Sequence, residues 1–592
     1  MRQRPGSACC AALAPISTIA RCVGESSRGW ASSRRARVYT ALAVSIEKGA
    51  ALAKFLVETA PCTRLSSSPM STAGQPGALD LYPPSRTGWF AVPRDHFRYD
   101  VSGSKTFPMK YLVYDGFAAH NTTAPVLCYC GNEGAVELFY NNSGGLFSLA
   151  SSLGARLLFA EHRYYGASLP FGAESFTPAN LSLLSIEQAL ADYAALLLGL
   201  SSELGCRSTR PSTATGRPLC DVMLFGGSYG GMLAAWHRVR YPQLSLGAVA
   251  SGAPVDFYPG EQIQQRFAAA VNHTFDTYGG HARCAASLAA SLAAADAATP
   301  AQLEAAGVRA CGAMGADAAE RYAFYARGAM ASLAMLDYPY ACGFVGTLPA
   351  NPVRRACAAL TAASAKTATA VAATVTGGAV VEAGAASAAA SKAEVEAEAE
   401  AVASLRKLHT AVLQLVNATG ALGCVDLAAE LVGSQRHLHP EARGATRGGS
   451  DLGVTSWNYQ ACTELPLEPI TSDGFGFYPE RAGRQRAELS ANCAARFGGV
   501  RPRPGWMGLA FGLGADYRHH SRILFVENEK DPWHVGTASV PPVTGVGGTV
   551  RRHVSTGGAH HQELRFASPL DAPGVVEARR LIEVTVREWL RL

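Results

Sequence analysis

Three features of this 592-residue sequence predict an α/β fold on a doubly wound, mostly parallel sheet. Short apolar runs such as Arg156–Ala160 and Gly247–Ser251 alternate with stretches of helical spacing such as Ile186–Leu200. One such run, Val222–Phe225, leads through Gly226-Gly227-Ser228-Tyr229-Gly230-Gly231 into Met232–Trp236, helical in spacing and without a breaker before Pro242. From about residue 260 to 495 the chain turns Ala-rich and helical, and strand signals return only at Ile523–Val526. One sheet interrupted by a helical insertion accounts for all three.

The strand–Gly-x-Ser-x-Gly–helix passage sharpens the class to an α/β-hydrolase fold with a large helical cap insertion. Such a turn is so tight that the positions flanking the serine must lack side chains, while its Oγ projects toward substrate. Gly is common in this chain, 60 of 592 residues, so the five-residue pattern alone is weak. The flanking strand and helix carry the inference.

In chain order, residues 1–87 read as a targeting and linker region. Met1–Arg4 is basic, Ala8–Ala20 is moderately apolar, a second helical stretch covers Val38–Thr59, and a Ser/Pro-rich linker spans about 65–86. Residues 88–259 read as the first part of the hydrolase domain, with strands at Tyr111–Tyr114, Pro125–Tyr129, Arg156–Ala160 and Val222–Phe225, then Gly247–Ser251. A helix is expected near Leu146–Ser152 and another at Ile186–Leu200. Residues 260–500 are the cap insertion; within it 359–403 is low-complexity, and its Glu-Ala repeats near Glu394–Ala401 suit a solvated helix without chemistry. Residues 501–592 return to the sheet with Ile523–Val526 and Val550–Val554, and close on an amphipathic helix over Val575–Leu592.

Composition narrows the class further. An apolar share of 48% with 17% charged residues suits a globular protein with a sizeable core, and a net charge of +6 without Lys/Arg clusters argues against nucleic acid as a partner. No run approaches the ~18 apolar residues of a membrane span. Nine of the 15 cysteines are spread from Cys206 to Cys493, as in a secreted or lumenal enzyme with scattered disulfides. Sequons at Asn121, Asn141, Asn180, Asn272 and Asn417 agree with that compartment. Cys128 and Cys130 share one face of an apolar strand and read as buried thiols.

A serine nucleophile needs a base within hydrogen-bond reach and a carboxylate that orients the base, in the chain order Ser, Asp, His for this fold. Asp531 follows the strand Ile523–Val526 in Glu529-Lys530-Asp531-Pro532-Trp533, and His560 with His561 follows the next strand in Gly557-Gly558-Ala559-His560-His561. Ser228, Asp531 and His560 are the candidate triad. The backbone N–H of Tyr229 and one from the turn Gly131-Asn132-Glu133-Gly134, at Gly131 or Asn132, are the candidate oxyanion donors. The polar, aromatic run Glu161–Gly166 reads as hydrogen-bonded support. No cluster has metal-ligand spacing, and the chemistry calls for no cofactor.

Several ordered stretches resemble the serine peptidase family that contains Pro-X carboxypeptidases and dipeptidyl peptidase II. They are GNEG (131–134), AEHRYYGASLPFG (160–172), SIEQALADYA (185–194), FGGSYGGMLAAW (225–236), LDYPYACGFVGTLPANPV (336–353), WNYQACTE (457–464), DPW (531–533) and GGAHHQELR (557–565). The resemblance covers about 88–592, the Ala-rich tract excepted. It implies cleavage of short peptides after Pro or Ala in an acidic lysosomal or vacuolar compartment or outside the cell, a triad of Ser228, Asp531 and His560, and a homodimer. LPANPV and GGAHH are closer to the dipeptidyl peptidase branch, which implies release of N-terminal Xaa-Pro dipeptides; the alternative is a Pro-Xaa carboxypeptidase, and a non-catalytic binding protein on the same fold is a third reading. Glu133 and Trp533 fall within the matched motifs as candidate substrate contacts. A dipeptidyl peptidase must hold an α-ammonium, and the expected anchor falls within Val425–Ser456, where Glu441 and Asp451 are both open. That segment lacks the branch's cysteine pair, and His534-Val535-Gly536 replaces a Gly-rich run.

Overall fold

The computed structural model describes residues 77–592 apart from 101–104, 119–122, 210–218, 257–260, 345–347, 364–384, 419, 421–422, 426, 428–453, 466–489, 504–505 and 512–516. The predicted targeting segment, the sequon Asn121 and most of Val425–Ser456 lie outside the described residues.

Among the described residues nine strands form one mixed sheet in the order β1-β2-β4-β3-β5-β6-β7-β9-β8. The strands are β1 (Arg86–Pro93), β2 (Thr106–Tyr114), β3 (Val126–Cys130), β4 (Arg156–Ala160), β5 (Val222–Gly227), β6 (Gly247–Ser251), β7 (Ile523–Asn528), β8 (Val543–Thr544) and β9 (Val550–Ser555). From β4 through β9 all neighbours run parallel, and β1, β2 and β8 add antiparallel edges. The central strands β3, β5, β6 and β7 are buried along their whole length, as parallel strands covered on both faces must be. Alternate residues divide between two cores: Leu224 packs with the helices Ile186–Leu200 and Tyr229–Arg240, whereas Met223 and Phe225 pack with Gly144–Leu153 and Pro573–Leu590. This is an α/β-hydrolase fold.

Between β6 and β7 the chain forms the helices Glu261–Tyr278, Cys284–Asp296, Ala318–Met335, Pro352–Leu360 and Ala385–Val416, which share their own hydrophobic core. That core also takes in Val535 and Ala559, close in sequence to Asp531 and His560. Residues 392–398 of the Glu-Ala repeats are exposed, whereas Leu405, Leu408 and Val412 further along the same helix are buried. Disulfides join Cys206 to Cys220, Cys284 to Cys357, Cys311 to Cys424, and Cys462 to Cys493. Cys128, Cys130 and Cys342 are buried free thiols.

The sequence reading missed β1, which starts inside the expected linker. Its residues alternate between half-buried and exposed, and Gly88 is there because a Cβ would stand 2.2 Å from the Tyr111 ring on the neighbouring strand. Upstream, the short helix Ala78–Leu81 is also anchored, by Leu79 N–H donating to Asn141 Oδ1 at 3.0 Å.

Candidate active site

β5 ends at Gly227 and the next helix begins at Tyr229, so Ser228 alone makes the turn, at φ 56° and ψ −128°. A non-glycine residue there is strained by about 1–3 kcal/mol, and its surroundings must hold it in place. A Cβ on Gly226 would lie 2.0 Å from the Gly230 carbonyl oxygen, and one on Gly230 would lie 2.2 Å from Asn132 Oδ1. Ser228 N–H donates to the Ser251 carbonyl on β6 at 2.8 Å. Gly226, Gly227, Tyr229 and Gly230 are buried while Ser228 keeps accessible surface, so its side chain is the part of the turn that meets solvent.

His560 and Asp531 form a buried pair, His560 Nδ1 to Asp531 Oδ2 at 2.5 Å. Asp531 Oδ1 accepts from the Trp533 backbone N–H at 3.1 Å, which sets the plane of the carboxylate. The pair lies against Gly252, which follows Ser251: a Cβ at Gly252 would stand 3.0 Å from His560 Nδ1 and 3.4 Å from Asp531 Oδ2. The ends of β5, β6 and β7 and the loop after β9 thus bring Ser228, Asp531 and His560 to one edge of the sheet. There a buried carboxylate orients the His560 imidazole near the serine turn.

The predicted oxyanion residues lie beside the elbow. Tyr229 N–H is at the first position of its helix, where backbone donors have no intrahelical acceptor. Asn132 Nδ2 donates to the Gly227 carbonyl at 2.5 Å, and Gly131 O accepts from Tyr193 OH at 3.0 Å, so the turn after β3 is tied to the elbow and to a neighbouring helix. The Tyr229 ring is fixed as well: His162 Nε2 meets its hydroxyl at 3.0 Å and Gln460 Nε2 donates to it at 2.8 Å. Burial pulls the His162 imidazole down to about 4, so it is neutral under mild acid. Glu161 completes this support by accepting from the N–H groups of Val136 and Ala167 and from Ser168 Oγ.

Glu133 is half-buried at this edge, and burial pushes its carboxyl above the ordinary range against the opposing field of His560. Trp533 lays its ring 4.8 Å from Phe267 on the helix Glu261–Tyr278, so its indole packs on the helical layer while its N–H serves Asp531. Glu441 and Asp451 lie outside the described residues.

Some neighbours of the site had no role assigned from the sequence. The His561 ring packs 4.2 Å from that of His560, and burial, followed by the charges of His560 and Arg565, holds its imidazole well below the usual value. Glu527 is fully buried, and burial followed by the charge of Asp531 pushes its carboxyl well up. Both causes favour its neutral form beside Asp531. Arg565 is buried over the Tyr338 and Phe344 rings, at 4.3 and 4.9 Å. Among the described residues no helix is long and apolar enough to cross a membrane, and no group of three or more His, Cys, Asp or Glu side chains could hold a metal ion.

Fold and site together define a serine hydrolase class: an α/β-hydrolase sheet with a strained serine elbow and a buried His–Asp pair beside it. The chain belongs to the serine carboxypeptidase S28 family, whose model matches residues 93–582. It is 30% identical over 508 residues to lysosomal Pro-X carboxypeptidase of Homo sapiens, covering 85% of this chain and 88% of that protein. It is 31% identical over 513 residues to the Mus musculus protein of the same name, covering 85% and 88%. A thymus-specific serine protease of Homo sapiens is 26% identical over 550 residues, covering 87% of this chain and 88% of that one.

Proposed function

We propose that this protein is a serine exopeptidase that cleaves beside proline in short peptides, and that it removes the single residue following a proline at the C-terminus. The buried hydrogen bond from His560 Nδ1 to Asp531 Oδ2, set beside the Ser228 elbow, carries the catalytic part of this reading. His560 Nε2 takes the proton as Ser228 Oγ attacks the carbonyl carbon of proline. The oxyanion is held by Tyr229 N–H and an N–H of the turn 131–134. His560 then returns the proton to the leaving amine, and water hydrolyses the acyl-enzyme by the same route in reverse.

The direction of cleavage rests on the relatives, two of which are named Pro-X carboxypeptidases and match over most of their length. This favours the alternative over the dipeptidyl peptidase reading that LPANPV and GGAHH suggested. A C-terminal carboxylate needs a cation or N–H donors. The relatives' names and the four disulfides among the described residues support a lysosomal or vacuolar compartment, or secretion.

The deciding assay offers N-blocked Xaa-Pro-Xaa peptides and Xaa-Pro-arylamides with a free amino terminus side by side at acidic pH. Turnover of the blocked peptide at a kcat/KM at least about 100-fold above the arylamide is expected, a gap that follows from an unpaired terminal charge. The opposite ranking would restore the dipeptidyl peptidase reading.

A further inference from the structure

The loops that carry Asp531 and His560 are gripped by the helical layer as well as by the sheet. His560 N–H donates to the Met335 carbonyl at 2.9 Å, and Tyr338 OH donates to the His560 carbonyl at 2.8 Å. The backbone of His560 is therefore bonded on both sides to the end of the helix Ala318–Met335 and the residues after it. Lys530, the neighbour of Asp531, donates from Nζ to Asp337 Oδ2 at 2.9 Å and to the Asp337 carbonyl at 3.1 Å. Asp337 Oδ1 in turn accepts from Val353 N–H at 3.1 Å.

The helix Glu261–Tyr278 adds a third hold. Thr274 Oγ1 donates to the Lys530 carbonyl at 3.1 Å, and Tyr278 OH donates to Glu529 Oε2 at 2.7 Å. The Tyr278 ring lies 4.7 Å from Lys530 Nζ. Lys530 N–H donates to the Gly558 carbonyl at 3.0 Å, linking the two loops to each other.

A buried ion pair such as Lys530–Asp337 adds little net stability, because desolvation offsets the attraction. Its bonds run to the residue beside Asp531, while those of Tyr338 and Met335 run to His560 itself. We propose that Tyr338 and the Asp337–Lys530 pair are positioning residues, which set the place of the His560–Asp531 pair over Ser228 and make triad geometry depend on seating of the helical layer. This rests on the triad reading given above. Displacement of a catalytic base by about 1 Å slows chemistry by up to about 10²-fold, without altering the surface that binds substrate.

Tyr338→Phe removes one hydroxyl and keeps the ring that stacks 5.8 Å from Tyr340. The expected result is a kcat about tenfold lower, KM within about twofold, and fluorophosphonate labelling of Ser228 slowed by the same factor as kcat. Its thermal midpoint should stay within a few degrees of wild type. The paired variant Lys530→Met/Asp337→Asn removes both buried charges together and should show the same split. With Ser228→Ala unlabelled, a normal kcat and labelling rate in Tyr338→Phe would overturn the positioning role alone. So would a loss that vanishes when kcat is expressed per labelled site. Labelling of Ser228→Ala at the wild-type rate would overturn the triad reading and the positioning role with it.

Discussion

Asp531→Asn is expected to lower kcat by about 10⁴-fold while KM and the thermal midpoint change little. The carboxylate accepts at both oxygens, from His560 Nδ1 at 2.5 Å and from Trp533 N–H at 3.1 Å. An acceptor facing Nδ1 fixes that nitrogen as the protonated one and leaves the Nε2 lone pair for the Ser228 proton. In the asparagine variant Trp533 N–H continues to select the carbonyl oxygen at the Oδ1 position. The amide NH2 must then face His560 Nδ1, which becomes an acceptor, so the imidazole proton moves to Nε2. A base protonated at the atom that should accept cannot start the reaction. Steady-state kinetics with the blocked peptide reads the effect directly. A kcat within a factor of 100 of wild type would mean that Asp531 does not set the tautomer of His560.

The site was legible where function is written locally and illegible where it is built from distant partners. Ser228 announces itself because an elbow demands small residues at fixed spacing, and a Cβ at Gly226 or Gly230 meets other atoms at 2.0–2.2 Å. Asp531 and His560 were placed after two strand-like runs, the apolar Ile523–Val526 of β7 and Val550–Val554 of β9. The central strands were legible for the same reason: buried on both faces, they read as unbroken apolar runs. β1 was hidden because an edge strand with one exposed face, a glycine and a closing proline has the composition of a linker. The grip of Tyr338 on His560 spans 222 residues, and no spacing rule reaches that far. Its motif, DYPY, could be matched to a family but not to a task. Pairings among the cysteines, separated by 14 to 113 residues, were closed to sequence for the same reason. The buried Glu527 shows the remaining gap: a carboxylate in the text gives no sign of whether the fold will leave it charged.

Asp192→Ala is expected to destabilise the protein by about 3–5 kcal/mol, the range for removing one partner of a buried ion pair. Arg163 and Asp192 are both fully buried, joined through Arg163 Nε at 2.6 Å and Nη2 at 2.7 Å. Arg163 spends its remaining donors on the carbonyls of Pro93, Arg94 and Leu183, and His96 Nε2 meets Asp192 Oδ1 at 2.7 Å. Removing the carboxylate strands a guanidinium in the interior and frees His96, so the cost is that of an uncompensated charge and not of one lost contact. The exposed pair Arg551–Glu588, with 27% and 48% of its side chains accessible, is the internal control, and Glu588→Ala should cost at most about 1 kcal/mol. Denaturation midpoints distinguish the two. Arg163→Met/Asp192→Leu should recover much of the loss, since both charges leave together. The pair also stands behind the elbow, for Arg163 follows His162, whose ring meets the Tyr229 hydroxyl. Its task there is to keep that support folded. Asp192→Ala should therefore lower the number of sites a fluorophosphonate can label on warming, with kcat per labelled site within about threefold of wild type. A fall in kcat per site with an unchanged denaturation midpoint would instead give Asp192 a part in the chemistry that its burial behind the site does not suggest.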